Sequence, residues 1–182
     1  LQGRYDVAEQ MVRKSRRSRK EILGREDERT LASTSLCARV LWNQGRWEEA
    51  EKVFVQVMEM SKTKLGADHP STLTSMSNLA STLWNQGRWE EAEKLFVQVM
   101  ETSKAKLGAD HPWTLTATAN LALTYRNQGR WDEAEKLFVQ VMETFKTKLR
   151  ADHPWTLTSM GNLASTYTNQ GRWDEAEKLE VQ

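Results

Sequence analysis

Apolar positions along this chain recur at steps of three and four, break at short polar turns, and then repeat the whole pattern every 42 residues. From Arg88 to Leu107, the residues Trp89, Ala92, Phe96, Val99 and Leu107 form one apolar stripe of helical period. Glu90 and Glu91 occupy its first turn and Lys104 and Lys106 its last, the arrangement that a helix dipole favours. Gly108 then supplies a left-handed cap. Asp110-His111-Pro112 opens the next helix with a polar acceptor ahead of a proline, placed where no N–H partner is needed. This second stretch runs to about Asn127, buries Leu115, Leu121, Ala122 and Tyr125, and is turned back by Gln128-Gly129. One unit is therefore an antiparallel helix pair.

Gly3, Gly45, Gly87, Gly129 and Gly171 mark the units 3–44, 45–86, 87–128, 129–170 and a partial 171–182. Residues 87–128 match 45–86 at 32 of 42 positions and 129–170 at 33. Such a fixed period reads as a solenoid, in which each unit buries its apolar face only against its neighbours. Residues 1–182 are thus a single array, and its ends suggest a fragment of a longer one. The first unit is worn: Tyr5 replaces the repeat tryptophan, Ser15 and Arg16 stand where Val57 and Met58 stand later, and Glu26-Asp27-Glu28 replaces Asp-His-Pro. Mobility is expected to be highest in residues 4–23 and 172–182. Arg150 replaces the cap glycine of Gly66 and Gly108, at a cost on the order of 1 kcal/mol if its backbone is left-handed.

Leu121-Ala122-x2-Tyr125 followed by Gly129-x-Trp131-x2-Ala134-x3-Phe138 resembles the tetratricopeptide pattern, with a small residue on each helix at their closest approach. The eight residues beyond the usual 34, the Gly-x-Asp-His-Pro turn and the Asn-Leu-Ala tripeptide resemble the kinesin-light-chain variety. The near-identical copies are also similar in texture to the sensor arrays of fungal NLR-like signalling NTPases. The fold so implied is all-α, a right-handed α-solenoid of antiparallel helix pairs. The function implied is a protein- or peptide-binding module, a sensor within a larger receptor, that takes its partner in a concave groove lined by the first helices.

Composition narrows the alternatives. No stretch approaches the roughly 20 apolar residues that span a bilayer, and no segment reads as a signal peptide. One cysteine and no N-x-S/T sequon argue against a disulfide-stapled secreted scaffold and for a reducing, cytoplasmic setting. The net charge of +1 is uneven: residues 1–44 carry ten Lys/Arg against six Asp/Glu, a balance of +4, and the remainder sixteen against nineteen, −3. Much of the excess is Arg13–Lys20, which lacks an aromatic stacking platform and reads as a solvated helix face rather than a nucleic-acid patch.

No constellation suggests catalysis. Asp68-His69, Asp110-His111 and Asp152-His153 recur too far apart to share a metal ion and read as helix caps. Cys37 takes the place of Leu79, Leu121 and Leu163 and reads as core. There is neither a phosphate loop nor a nucleophile elbow, and the carboxylates Glu48 and Glu49 open a helix facing water. The chain is read as a non-enzyme that needs no cofactor or metal and binds neither nucleic acid nor membrane.

The repeats differ chiefly on their first helices. Seven of the ten differences between the second and third units lie in 71–84, and five of the nine between the third and fourth lie in the matching window. The resemblance assigns the groove to these positions: Arg39, Trp42 and Asn43; Ser77, Asn78, Ser81, Trp84 and Asn85; Ala119, Asn120, Leu123, Arg126 and Asn127; and Asn162, Ser165, Thr168 and Asn169. Ser35, Thr74, Thr116, Thr158 and Gly161 accompany them. Trp42 and Trp84, with Arg126 in the same place, read as an exposed hot-spot series. Asn78, Asn120 and Asn162 form a ladder suited either to an extended peptide backbone or to hydrogen bonds between helices. Trp113 and Trp155 are a second variable aromatic set, whereas Trp47, Trp89, Trp131 and Trp173 do not vary and read as structural. The rival reading is a self-associating scaffold that forms head-to-tail homo-oligomers through its exposed ends.

Overall fold

In the computed structural model, residues 2–180 are described, with side chains for residues 7 and 9–179. Tyr5's side chain and the terminal residues Leu1, Val181 and Gln182 fall outside them. Among the described residues there are nine helices and no strand: α1 (Gln2–Leu23), α2 (Glu28–Asn43), α3 (Trp47–Leu65), α4 (Pro70–Asn85), α5 (Trp89–Leu107), α6 (Pro112–Asn127), α7 (Trp131–Lys148), α8 (Pro154–Asn169) and α9 (Trp173–Glu180). The chain divides into two units, Leu1–Leu95 and Phe96–Gln182, with the division inside α5.

Each first helix is set by its cap. His69, His111 and His153 hold extended backbone, and the Nδ1 of each accepts the N–H two residues on at 3.2 Å. The histidine, rather than the aspartate before it, is the capping group. In the first unit Asp27 takes over, its Oδ1 accepting from the Arg29 N–H at 2.9 Å, so α2 begins as sharply as its copies. The second helices end at glycines of positive φ, but at Gly66 φ is 98° with ψ 159°, outside the left-handed helical region that the cap reading supposed. Arg150 adopts φ 147° at the equivalent place, and α7 stops at Lys148. The carbonyl there is retained as an acceptor: Thr156 Oγ1 donates to Arg150 O as Thr72 Oγ1 donates to Gly66 O, both at 2.8 Å.

In the first unit α2 packs on α1 and α3, α3 on α4, and α2 lies beside α4. Ala38, Ala50 and Ala80 are fully buried, which lets the helices approach closely around Phe54, Leu79 and Leu83. Cys37 is core as expected, and burial pushes its thiol pKa up. The cover of α1 is incomplete: Met11 and Ile22 are 69% and 77% exposed, Ile22 at the outward position where the copies carry Lys64, Lys106 and Lys148. In the second unit α7 packs between α6 and α8, and α9 packs on α8. Ala122, Ala134, Phe138, Met142, Met160 and Leu163 form one cluster, and Leu115, Val141 and Phe145 another. Burying a side chain such as Phe138 contributes roughly 1.5–3 kcal/mol.

A polar stitch repeats beside each core. Arg88 donates to both carboxylate oxygens of Glu91 at 2.6 and 2.7 Å, to Glu51 on the preceding second helix at 2.7 Å, and to Gln86 Oε1 at 3.1 Å. Arg46 repeats this with Glu49, Glu9 and Gln44, and Arg172 with Glu175, Glu135 and Gln170. The Arg172 guanidinium also lies 4.2 Å over the Tyr167 ring. These networks make Glu49 and its copies structural ion-pair partners rather than free surface charge.

One expectation fails here. Leu107 is 47% exposed, because it sits in the last helical turn beyond the reach of the packed stripe. The repeat tryptophans open their helices with unequal cover: Trp89 is half-buried, and Trp47, Trp131 and Trp173 are exposed.

Candidate binding face on the first helices

The variable positions come from α2 and α4 in the first unit and from α6 and α8 in the second. In each unit the two first helices are neighbours, because every second helix occupies the opposite side of its pair. Arg39, Asn43, Gly161, Ser165 and Asn169 are exposed; apart from the three threonines below, the other proposed groove residues are half-buried. Thr74, Thr116 and Thr158 are exposed, but each hydroxyl donates to a carbonyl one turn back at 2.8–2.9 Å, so it is committed to its own helix. Asn43 and Asn85 likewise donate to Arg39 O and Ser81 O at 2.9 and 2.7 Å.

The hot-spot series differs from its expectation. Trp42 and Trp84 are half-buried, not exposed, and their Nε1 atoms are covered and meet no acceptor. They stand in the last turn of α2 and α4, where the chain folds back: Gly45 N donates to Trp42 O and Arg46 N to Leu41 O, both at 3.0 Å. Arg126 is half-buried as well, reaching the Asn162 carbonyl at 3.5 Å with its guanidinium 5.9 Å from the Phe138 ring centre. Burial pushes its pKa below the usual arginine range. Ala119 and Leu123 lean on the core cluster of the second unit. Such side chains present an edge rather than a full surface.

The asparagine ladder divides. Asn78 donates to Ser35 Oγ on the neighbouring first helix at 3.4 Å, so here the inter-helix bond is formed. The side chains of Asn120 and Asn162 are half-buried and make no hydrogen bond among the described residues. Neither amide is among the side-chain groups cut off from solvent, so water or a docking backbone can reach it. Trp155 is 51% exposed, its ring 5.7 Å from Phe145 and edge-on to His153 at 5.5 Å, whereas Trp113 is half-buried.

In the first unit the structure gathers Ser35, Arg39, Thr74 and Asn78 around a cavity of about 350 Å³. Arg19, Glu28, Ser61 and Ser71 also line it, none of them anticipated from the sequence. Arg19 is the notable addition: it stays exposed, as the solvated-face reading has it, while its Nη1 donates to Ser33 Oγ and the Arg29 carbonyl. Its signal lay in the repeat itself, because Arg19 is the counterpart of Ser61, Ser103 and the buried Phe145. Apart from the half-buried Arg16, the rest of the basic run faces water, with Arg13 and Arg17 paired to Glu9 and Glu21 one turn away.

Among the described residues no helix is long and apolar enough to cross a membrane, and no cluster of His, Cys, Asp and Glu is placed to hold a metal ion.

Comparison with known proteins agrees with this architecture. The tetratricopeptide repeat pattern matches residues 1–63, 30–84, 71–147 and 116–182. A crystal structure of the Podosopora anserina putative kinesin light chain with nearly identical TPR-like repeats is 30% identical; it superposes with a TM-score of 0.84 over 99% of this chain and 85% of that one. A variant of the same protein, also 30% identical, gives 0.87 over 100% and 85%. BtubC (BKLC) from P. vanneervenii, at 20% identity, shares the fold, with a TM-score of 0.85 over 98% of this chain and 71% of that one. No curated protein sequence matches. With the repeat pattern covering its length and helix pairs to match, the chain belongs to the tetratricopeptide repeat family, in an array like that of kinesin-light-chain proteins.

Proposed function

We propose that this chain is a non-enzymatic, cytoplasmic recognition array that binds a protein or peptide segment along its first helices, as the ligand-sensing part of a larger receptor. Tetratricopeptide repeats generally mediate protein–protein interactions and are typically non-catalytic scaffolds. The observation that carries the reading is the division of labour within the repeat. Stitch residues and core alanines stay constant, while variation gathers on α2, α4, α6 and α8, which also carry the amides of Asn120 and Asn162. Packed helices fix these side chains before a partner arrives, which lowers the ordering cost of binding. The near-identical copies, similar in texture to the sensor arrays of NLR-like signalling NTPases, are what suggest the sensing role.

The test is to select peptides from a random display library on the 182-residue chain and measure their affinities for Asn120→Ala plus Asn162→Ala. We expect about tenfold weakening, the equivalent of one or two hydrogen bonds. Peptides indifferent to first-helix substitutions but abolished by substitutions at Trp131 or Trp173 would move recognition to the other face.

A second reading, self-association, has its own observation. Leu157 is 51% exposed where its counterparts Leu31, Leu73 and Leu115 are 4% exposed or less, and Val7, Met11 and Ile22 are uncovered on α1. Light scattering that shows mass rising with concentration, reversed by Leu157→Lys, would favour it.

A further inference from the structure

Two repeat positions decide how much space lies beside neighbouring first helices. One is occupied in turn by Arg19, Ser61, Ser103 and Phe145, the other by Arg29, Ser71, Trp113 and Trp155. In the second unit Phe145 and Trp155 lie in contact and fill that space themselves. In the first, the serine pair leaves the cavity of about 350 Å³ between α2 and α4, with Val57 and Ser61 from α3 at its base. Ser61 is 1% exposed, and its Oγ has no hydrogen-bond partner. Ser33, Ser35 and Ser75 add hydroxyls, and Asn78 adds an amide. Most of these groups already hold partners, but an apolar guest would leave the Ser61 hydroxyl without one.

The charges specify the guest further. Arg19 and Arg39 both line the cavity. Arg19 is oriented through Nη1 alone, so its Nε and Nη2 donors remain uncommitted among the described residues, and Arg39 is exposed and unpaired. Glu28 opposes them but already accepts the Ser71 hydroxyl at 2.6 Å. The surrounding residues 1–44 carry the +4 balance, so the field favours an anion. A carboxylate offers one charge and two oxygens; a phosphoryl group offers a charge of about −1.5 to −2 and three acceptor oxygens, the better match to two guanidinium groups and several hydroxyls.

We propose that the α2–α4 cavity of the first unit binds a phosphoryl group borne on a side chain of the partner segment, with Arg19 and Arg39 as its cationic contacts. This rests on the first-helix recognition reading and adds a phosphorylation requirement to it.

The test uses the 182-residue chain and a fluorescein-labelled Gly/Ala heptapeptide with a central phosphoserine, its serine and glutamate counterparts, and inorganic phosphate as competitor. The phosphoserine peptide is expected to bind about tenfold or more tighter than either counterpart, as for charge-assisted bonds. Arg39→Gln, an exposed change that leaves the melting temperature unaltered, should remove that margin. Ser61→Phe with Ser71→Trp, which copies the filled repeat, should remove it too. Equal binding of the phosphoserine and serine peptides overturns the proposal, as does equal binding of the glutamate peptide. Competition by inorganic phosphate at the phosphoserine peptide's own affinity overturns the side-chain source. A margin that survives filling but disappears on neutralising Arg13, Lys14 and Arg17 locates the anion on the outer basic face, and the proposal fails. Library-selected unphosphorylated peptides separate the two readings: if they still depend on Asn120 and Asn162 while the phosphoserine margin is absent, the cavity proposal alone falls.

Discussion

A histidine in this chain does the work usually given to serine or aspartate. His111 accepts the Trp113 N–H through Nδ1, so that nitrogen must be without a proton while it caps. His111→Ala should cost about 1 kcal/mol, and His111→Asn should restore most of it, in matched thermal or urea melts. Arg150 is the opposite case, a residue at odds with its backbone. Its φ of 147° lies where a side chain is strained, and open space surrounds the equivalent glycine positions, so the penalty is conformational rather than a clash. Arg150→Gly should therefore raise stability by on the order of 1 kcal/mol. The exposed Arg150–Asp152 pair lost in the exchange offsets little of that. A variant that melts lower than the parent would show that the pair, not the backbone, decides this turn.

At the scale of the element, packing of helix on helix is secured by apolar stripes and then registered by the arginine stitch. Arg88 links the start of α5 to Glu51 on α3 across the intervening helix, so it reports on repeat-to-repeat docking rather than on one helix. With Arg88 partly exposed, a double-mutant cycle of Arg88→Gln and Glu51→Gln should give a coupling of a few tenths to about 1 kcal/mol that shrinks with salt. The hydrogen bond from Arg88 holds the Glu91 carboxyl below its ordinary 4.5, and Arg46 and Arg172 do the same to Glu49 and Glu175. A depressed folded pKa contributes stability that is complete above about pH 4.5 and is lost as pH falls through the lowered values. Melting temperature should accordingly drop on the acid side, and drop less steeply in Arg88→Gln. An unchanged acid slope would mean that the stitch has no part in acid unfolding.

For the whole molecule, stability in a repeat array is a sum of local terms, so it need not be uniform. Residues 9–23 of α1 carry uncovered apolar side chains and a dense run of like charge, and α9 has few buried side chains. Amide exchange should be fastest there and slowest in α4 and α6, as hydrogen–deuterium exchange with mass spectrometry would show. Uniform protection would contradict this local picture.

The helix pairs, their boundaries and the core alanines were legible in the sequence because a 42-residue period exposes every constraint several times over, and periodicity reflects local backbone geometry. The recurring Asp-His-Pro caps were legible for the same reason, although the atom that caps was not. What an exposed-looking position does was decided only by tertiary structure. Trp42, Trp84 and Arg126 vary like surface residues, yet lie half-buried because the chain folds back over the last turn of their helices. Arg19 reads as one charge in a basic run and is exposed, yet its guanidinium is held by Ser33 because α1 lies against α2. Burial and orientation depend on residues distant in sequence, and a repeating pattern records which positions may change without recording what lies opposite them.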